Sequence, residues 1–244
     1  MTEKRNVALV HFNTPELTEA CIKSLRKHGG ENYKVYILDN SNKRPFTKRM
    51  KGVKVFNNRK GQLIDLKAEV EKFPHRSEKA GCAKGCWFGS DVHMMSVQKL
   101  WELVPDGFVL IDSDILFKNS IEWMYQYDQC TVGHIGMTTG YYNIARLVPM
   151  LLWINVPMCV AGGARFFDPD RTWALHEYYS RKNWWDTGAA FLDDIKKLKP
   201  QCHGKAVARE MIKNTIIHFG GGSWRRNDIE TQQKWLEENK ELWQ

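Results

Sequence analysis

The chain has 244 residues, 43 % hydrophobic and 26 % charged, enough for one large domain with a substantial core. Its net charge of +8 favours anionic partners, but the basic residues lie in short groups such as Lys43-Arg44 and Lys196-Lys197, not in the long run of a disordered nucleic-acid arm, and no nucleic-acid partner is expected. No apolar run is long enough to span a bilayer.

The polar start at Thr2–Asn6 is unlike a signal peptide, so a cytoplasmic protein with reduced thiols is expected for the six cysteines at 21, 82, 86, 130, 159 and 202. Cys82 and Cys86, with His93 nearby, can be drawn as a zinc cluster, but the spacing fits no common zinc knuckle. The ten tryptophans suit either an ordinary core or a surface that stacks on sugar-like faces.

Val7–His11 reads as a buried parallel strand. Thr14 as N-cap and Pro15 in the first turn start a helix with apolar positions Leu17, Cys21, Ile22 and Leu25, and Gly29-Gly30 ends it. Val35–Leu38 is a second strand closing on Asp39-Asn40-Ser41, so a right-handed parallel crossover is expected. Val53–Phe56 is a third short strand, and Ser90–Val104 has helical spacing. Trp123–Thr131 reads as a helix, Leu147–Val160 as buried core or an interfacial segment interrupted by Pro149, Asn155 and Pro157, and Thr138–Tyr142 as a loop. Thr172–Ser180 and Thr187–Leu198 read as helices, Ile216–Phe219 as a late strand and Asp228–Leu242 as a charged amphipathic helix.

The most informative stretch is Phe108-Val-Leu-Ile-Asp-Ser-Asp-Ile-Leu-Phe117. Val109, Leu110 and Ile111 form a buried strand, and Asp112 and Asp114 flank Ser113 where it ends. Residues i and i+2 of an extended segment point the same way. Two adjacent carboxylates repel unless a cation or proton lies between them, and an all-oxygen pair favours Mg²⁺ or Mn²⁺ over zinc. The expectation is a metal site at the carboxyl edge of a central strand, where open α/β sheets bind ligands. A strand followed by an acidic turn is the plainer alternative.

Val7–Asn13 with Leu17 and Ser24-Leu25, Tyr36–Ser41, Leu110–Ile115 and Ile216–Gly220 together resemble, in order, segments of GT-A nucleotide-sugar glycosyltransferases of the family-2 type. The resemblance implies an α/β, three-layer α/β/α nucleotide-binding fold with a mostly parallel sheet, as a single domain over 1–244. Residues 1–117 would form the nucleotide-binding half, and 118–244 the acceptor-binding half with the C-terminal helix. It implies transfer of a sugar from a UDP- or GDP-linked donor to a glycan, glycolipid or protein hydroxyl, with Mn²⁺ or Mg²⁺, as in polysaccharide biosynthesis.

It further implies Asp114 as direct metal ligand, Asp112 on metal or ribose with Ser113 beside it, and His218 completing the metal shell. Asp39 would meet the base or ribose, Arg59 and Lys60 the base or phosphates, and Gly162 and Gly163 the sugar or acceptor floor. His11 and Asn13, near the same sheet edge, would line the base pocket. Ser90 and His93 would face the nucleotide. Gly220, with Gly221 and Gly222, exposes backbone N–H groups to phosphates, and Arg225 and Arg226 would neutralise them. Asp186, in Trp184-Trp-Asp-Thr-Gly188, is the expected catalytic base, because rings beside a carboxylate suit a sugar. The family-2 Glu-Asp pair before the last helix is absent, which leaves the base and the stereochemical outcome open. The basic charge permits peripheral association with the inner membrane surface.

Two other classes fit parts of this pattern. A metal-dependent phosphohydrolase or nuclease also uses clustered acids, and would act on phosphoesters without a sugar donor. A non-catalytic nucleotide- or glycan-binding module would bind donor without turnover.

Overall fold

The computed structural model describes residues 5–71, 86–137, 145–167, 187–198, 204–220 and 228–244. In chain order the elements are β1 (Arg5–His11), α1 (Pro15–Gly29), β2 (Tyr33–Asp39), β3 (Val53–Asn57), α2 (Leu66–Glu71), α3 (Cys86–Leu103), β4 (Phe108–Ile111) and β5 (Ile115–Phe117). There follow β6 (Thr131–Met137), β7 (Ala145–Ile154), α4 (Val156–Ala161), α5 (Ala189–Lys197), β8 (Gly204–Ala206), α6 (Arg209–Thr215), β9 (Ile216–His218) and α7 (Ile229–Glu238).

The main sheet has the order β3-β2-β1-β4-β7-β6-β8. The first four of these strands are parallel, with Val7 opposite both Val35 and Val109. β7 runs antiparallel to β4 and to β6, and β8 returns parallel to β6. A separate two-stranded sheet joins β5 to β9.

Alternation along the strands builds a core on each face. Ala8, Leu110 and Leu152 pack with Met94, Val97, Leu100 and Trp101 of α3 and Phe191, Leu192 and Ile195 of α5. Val7, Leu9, Val35, Ile37, Val109 and Ile111 pack with Cys21, Ile22 and Leu25 of α1. Helices therefore cover both faces, which is the expected three-layer α/β/α arrangement with a mostly parallel sheet.

The local signals in the first half are met with small shifts. α1 starts at Pro15 and its C-cap Gly30 adopts φ 79°, donating to Arg26 O. Thr14 occupies the N-cap position, but its hydroxyl makes no capping hydrogen bond.

The second half departs more. A single 3₁₀ turn, Glu122–Gln126, replaces the expected helix over 123–131, and Thr131 opens β6. Gly133 allows that strand to close on β7, since a Cβ there would lie 2.5 Å from Leu152 Cδ1. The apolar run 147–160 is a strand followed by a helix. Pro149 falls where the ladder to β6 shifts register and past the end of β4, so its missing N–H costs no ladder bond. Asn155 then caps α4 by accepting from Met158 N. Among the described residues no helix is long and apolar enough to cross a membrane.

Cys21 and Cys159 are buried free thiols, whereas Cys130 is disulfide-bonded. The expectation of reduced thiols throughout therefore fails at Cys130.

Candidate metal centre

The apolar β4 ends at the buried Ile111, and the chain must turn before the equally buried β5 begins at Ile115. The turn between them carries Asp112, Ser113 and Asp114. Asp112 N donates to Met150 O of β7, and Cys21 Sγ to Asp112 O, which fix the turn against the sheet and α1. β5 pairs antiparallel with β9, setting His218 opposite Ile115, and Phe219 N donates to Asp114 O. This pairing carries the imidazole to the acids across 104 residues of sequence.

His218 Nε2 lies 3.2 Å from Asp114 Oδ1 and 3.5 Å from Asp112 Oδ2. One ligand atom from each of the three residues falls within 4.8 Å of the others, the single such His/Cys/Asp/Glu cluster among the described residues. The proposed cysteine-based zinc cluster falls on Cys82, outside the described residues, and on Cys86, whose side chain also lies outside them.

Electrostatics shows what the cluster lacks. Burial raises the Asp112 pKa and Asp114 raises it further, against the opposing charges of His218, His93 and Arg146. For His218, burial disfavours the imidazolium, but the hydrogen bond to Asp114 and the charges of both acids outweigh it and raise the pKa to about 9. A proton held this firmly between two carboxylates does the work of a cation. Two carboxylate oxygens and one imidazole nitrogen converging within a few ångströms form a donor set that fits a divalent ion such as Mn²⁺ or Mg²⁺.

Three of the expected residues make hydrogen bonds inside the protein. His11 is fully buried; its Nδ1 lies 2.8 Å from Thr18 Oγ1 and its Nε2 3.2 Å from Arg44 O, and burial lowers its pKa. Asn13, at φ 58°, accepts from Lys43 N and Arg44 N through Oδ1. Asp39 accepts from Ser41 N and Phe46 N, one with each oxygen. These three side chains hold the loop after β2 at the carboxyl edge. Arg59 is exposed and folded back on Asn57 Oδ1 through its N and Nε, next to the exposed Lys60.

His93, half-buried on α3, is close enough for its charge to act on Asp112. Ser90 lies on the same helix, but its side chain is outside the described residues. Gly220 follows the His218 strand in a left-handed conformation at φ 75°, with open space where a Cβ would stand. Gly162 and Gly163 are not brought to the cluster. They end α4, which starts where β7 finishes beside the opposite, amino end of β4 (Ile154 opposite Phe108), and Gly162 abuts Leu198. Asp186, Gly221, Gly222, Arg225 and Arg226 lie outside the described residues.

Sequence reasoning missed two features. Asn58 accepts from Leu63 N and Ile64 N and donates to Asn40 Oδ1, while Asn40 donates to Ser96 Oγ, so one buried amide chain ties the ends of β2 and β3 to α3. Paired asparagines just past two strand ends were the available signal. Arg146 acts electrostatically on both Asp112 and His218. No local signal marked it.

No family model matches the chain. No curated protein matches it in sequence. Solved structures do match its fold. The galactosyltransferase LgtC, solved with donor and acceptor sugar analogs, aligns over 97 % of this chain and 94 % of its own, with TM-score 0.55 and 11 % identity. The mannosyltransferase Ktr4p of S. cerevisiae aligns over 89 % and 71 %, with TM-score 0.53 and 10 % identity. The glycosyltransferase GlyE of Streptococcus pneumoniae aligns over 97 % of this chain, with TM-score 0.51 and 12 % identity, and the chain spans only 60 % of its length. The chain shares the fold of these proteins.

Proposed function

We propose that this GT-A-fold protein is a metal-dependent glycosyltransferase, moving a sugar from a UDP- or GDP-linked donor to a hydroxyl of a glycan, glycolipid or protein. The observation that carries the reading is the Asp112–Asp114–His218 cluster at the carboxyl edge of β4. On an open α/β sheet that edge is where ligands bind, and a nucleoside diphosphate leaves only if its growing charge is stabilised. A divalent ion bound there supplies Lewis-acid stabilisation of the leaving diphosphate.

The chain's own residues prepare the rest of the site. Asp112 and Asp114 hold the ligand atoms in place through a turn pinned by Met150 O and α1. His11, Asn13 and Asp39 shape the nucleotide pocket by fixing the loop after β2, with Arg59, Lys60, His93, Ser90 and Ser113 around it. Gly220 offers its backbone N–H to phosphate. Asp186 is the candidate base on the acceptor hydroxyl, on sequence grounds. The net charge of +8 suits an acceptor displayed on an anionic membrane surface, and polysaccharide or glycolipid synthesis is the matching setting.

The test is a panel of nucleotide sugars screened by thermal shift with and without Mn²⁺. A matching donor raises the melting temperature only with metal, because ligand that binds the native state alone stabilises it. If no nucleotide sugar shifts the transition, or if the protein hydrolyses phosphoesters with no sugar donor, the reading fails.

A further inference from the structure

The cluster of Asp112, Asp114 and His218 leaves a charge unaccounted for. Two carboxylates cancel a divalent ion, so a diphosphate approaching the filled site meets a centre that is nearly neutral. The diphosphate brings negative charge of its own and gains more as it leaves. A second cation, fixed in position, would lower the cost of that charge.

The sheet supplies one. β7 runs antiparallel to β4 with Leu151 opposite Ile111, and Met150 O receives Asp112 N. Residues 145–149 of β7 therefore extend past the end of β4, over the edge where the two acids stand. Arg146 lies in this overhang, opposite Gly136 of β6. Its Nη1 donates to Thr187 O at 3.4 Å.

The turn that carries Thr187 packs against β7. Leu147 N donates to Gly188 O, and Gly188 takes φ 90° so close to β7 that a Cβ would lie 2.0 Å from Leu147 O. The hydrogen bond to Thr187 O thus positions the guanidinium at the rim, which would reduce the freedom it loses on binding. Guanidinium also matches phosphate through paired donors, as an ammonium does not.

We propose that Arg146 is a fixed cation of this site, a guanidinium positioned at the sheet rim by its bond to Thr187 O that takes up the phosphate charge of the ligand beside the metal. The inference rests on the nucleotide-sugar reading above and names the residue that meets the donor's phosphates.

Calorimetric titration of the full chain tests it, with wild type, Arg146→Gln and Arg146→Lys each titrated with Mn²⁺ alone and then with UDP, GDP and inorganic pyrophosphate at saturating Mn²⁺. Arg146→Gln should bind Mn²⁺ at least as tightly as wild type, since a like charge beside the ion has gone. It should bind the diphosphates about tenfold or more weakly, the loss of one charge-assisted contact. Arg146→Lys should fall between the two. Diphosphate binding by Arg146→Gln equal to wild type overturns the inference, as does a parallel loss of Mn²⁺ and diphosphate, which marks a merely structural role. If Arg146→Gln does not fold, Arg146→Lys decides: weaker diphosphate binding at unchanged Mn²⁺ affinity supports the inference, and wild-type binding overturns it. Wild type that binds pyrophosphate but neither nucleotide sinks the glycosyltransferase reading and leaves Arg146 to be judged on pyrophosphate alone. Wild type that binds none of the three overturns both.

Discussion

His218 Nε2 and Asp114 Oδ1 stand 3.2 Å apart because β9 pairs with β5, not because anything in the sequence near either residue calls for the other. Removing the acid would remove both the proposed metal ligand and the partner that holds the imidazole. Asp114→Asn should weaken Mn²⁺ binding by more than the roughly 10–100-fold that loss of an outer-shell partner costs. Isothermal titration measures this directly, and an unchanged affinity would rule the carboxylate out as a ligand.

The pH dependence follows from the same pair. In the folded, metal-free protein the His218 pKa is raised from 6.5 to about 9. A raised folded value means that the imidazolium contributes stability that is fully present below pH 6.5 and is lost as pH rises through about 9. Metal-free protein should therefore lose stability to urea across that window, and His218→Gln should lose much of this slope. Mn²⁺ affinity should rise over the same window, because the ion displaces the proton. A flat stability profile in the metal-free wild type would contradict this account.

Two glycines with left-handed backbones separate strain from contact. Gly163→Ala, at φ 74° with open space around it, should cost only the conformational penalty of about 1–2 kcal/mol. Gly188→Ala adds a collision with Leu147 O, so α5 would have to leave β7, and the loss should exceed that of Gly163→Ala by at least about 2 kcal/mol. Urea denaturation of the two variants side by side gives the comparison, and equal losses would show that the α5 turn yields easily.

Asn58 is 4 % exposed, and replacing it with alanine strands Asn40 Oδ1 and the amides of Leu63 and Ile64. Each buried group left unpaired costs about 1–3 kcal/mol, less where water can enter. Asn58→Ala should destabilise the fold by about 3 kcal/mol and speed hydrogen exchange at Leu63 and Ile64. Exchange at those amides unchanged from wild type would show that the carboxamide does not hold the loop.

Burial raises the thiol pKa of both Cys21 and Cys159, the latter to about 12. Neither should react with a maleimide in the native protein at neutral pH, and both should react once unfolded. Cys130 should stay unlabelled in denaturant until a reductant is added. Peptide mapping reads all three, and labelling of native Cys21 would mean that α1 opens from the sheet.

The sequence by itself determined what local patterning can encode. Apolar runs with short turns gave the parallel β1-α1-β2 unit, Gly30 and Pro15 bounded the helix, and Asp112 and Asp114 were legible as a pair at the end of an apolar strand, although a turn between β4 and β5, and not the expected two-residue period of an extended segment, brings them together. Tertiary structure alone decided which distant groups come close to the acid pair. β7 inserts antiparallel between β4 and β6, and that order carries Arg146 past the end of β4, at the edge where the acids stand. His218 arrives through a second small sheet, while His11, Asn13 and Asp39 turn inward to satisfy the buried backbone of their own loop. Such choices depend on what each group meets across the fold, and no window of neighbouring residues contains that information.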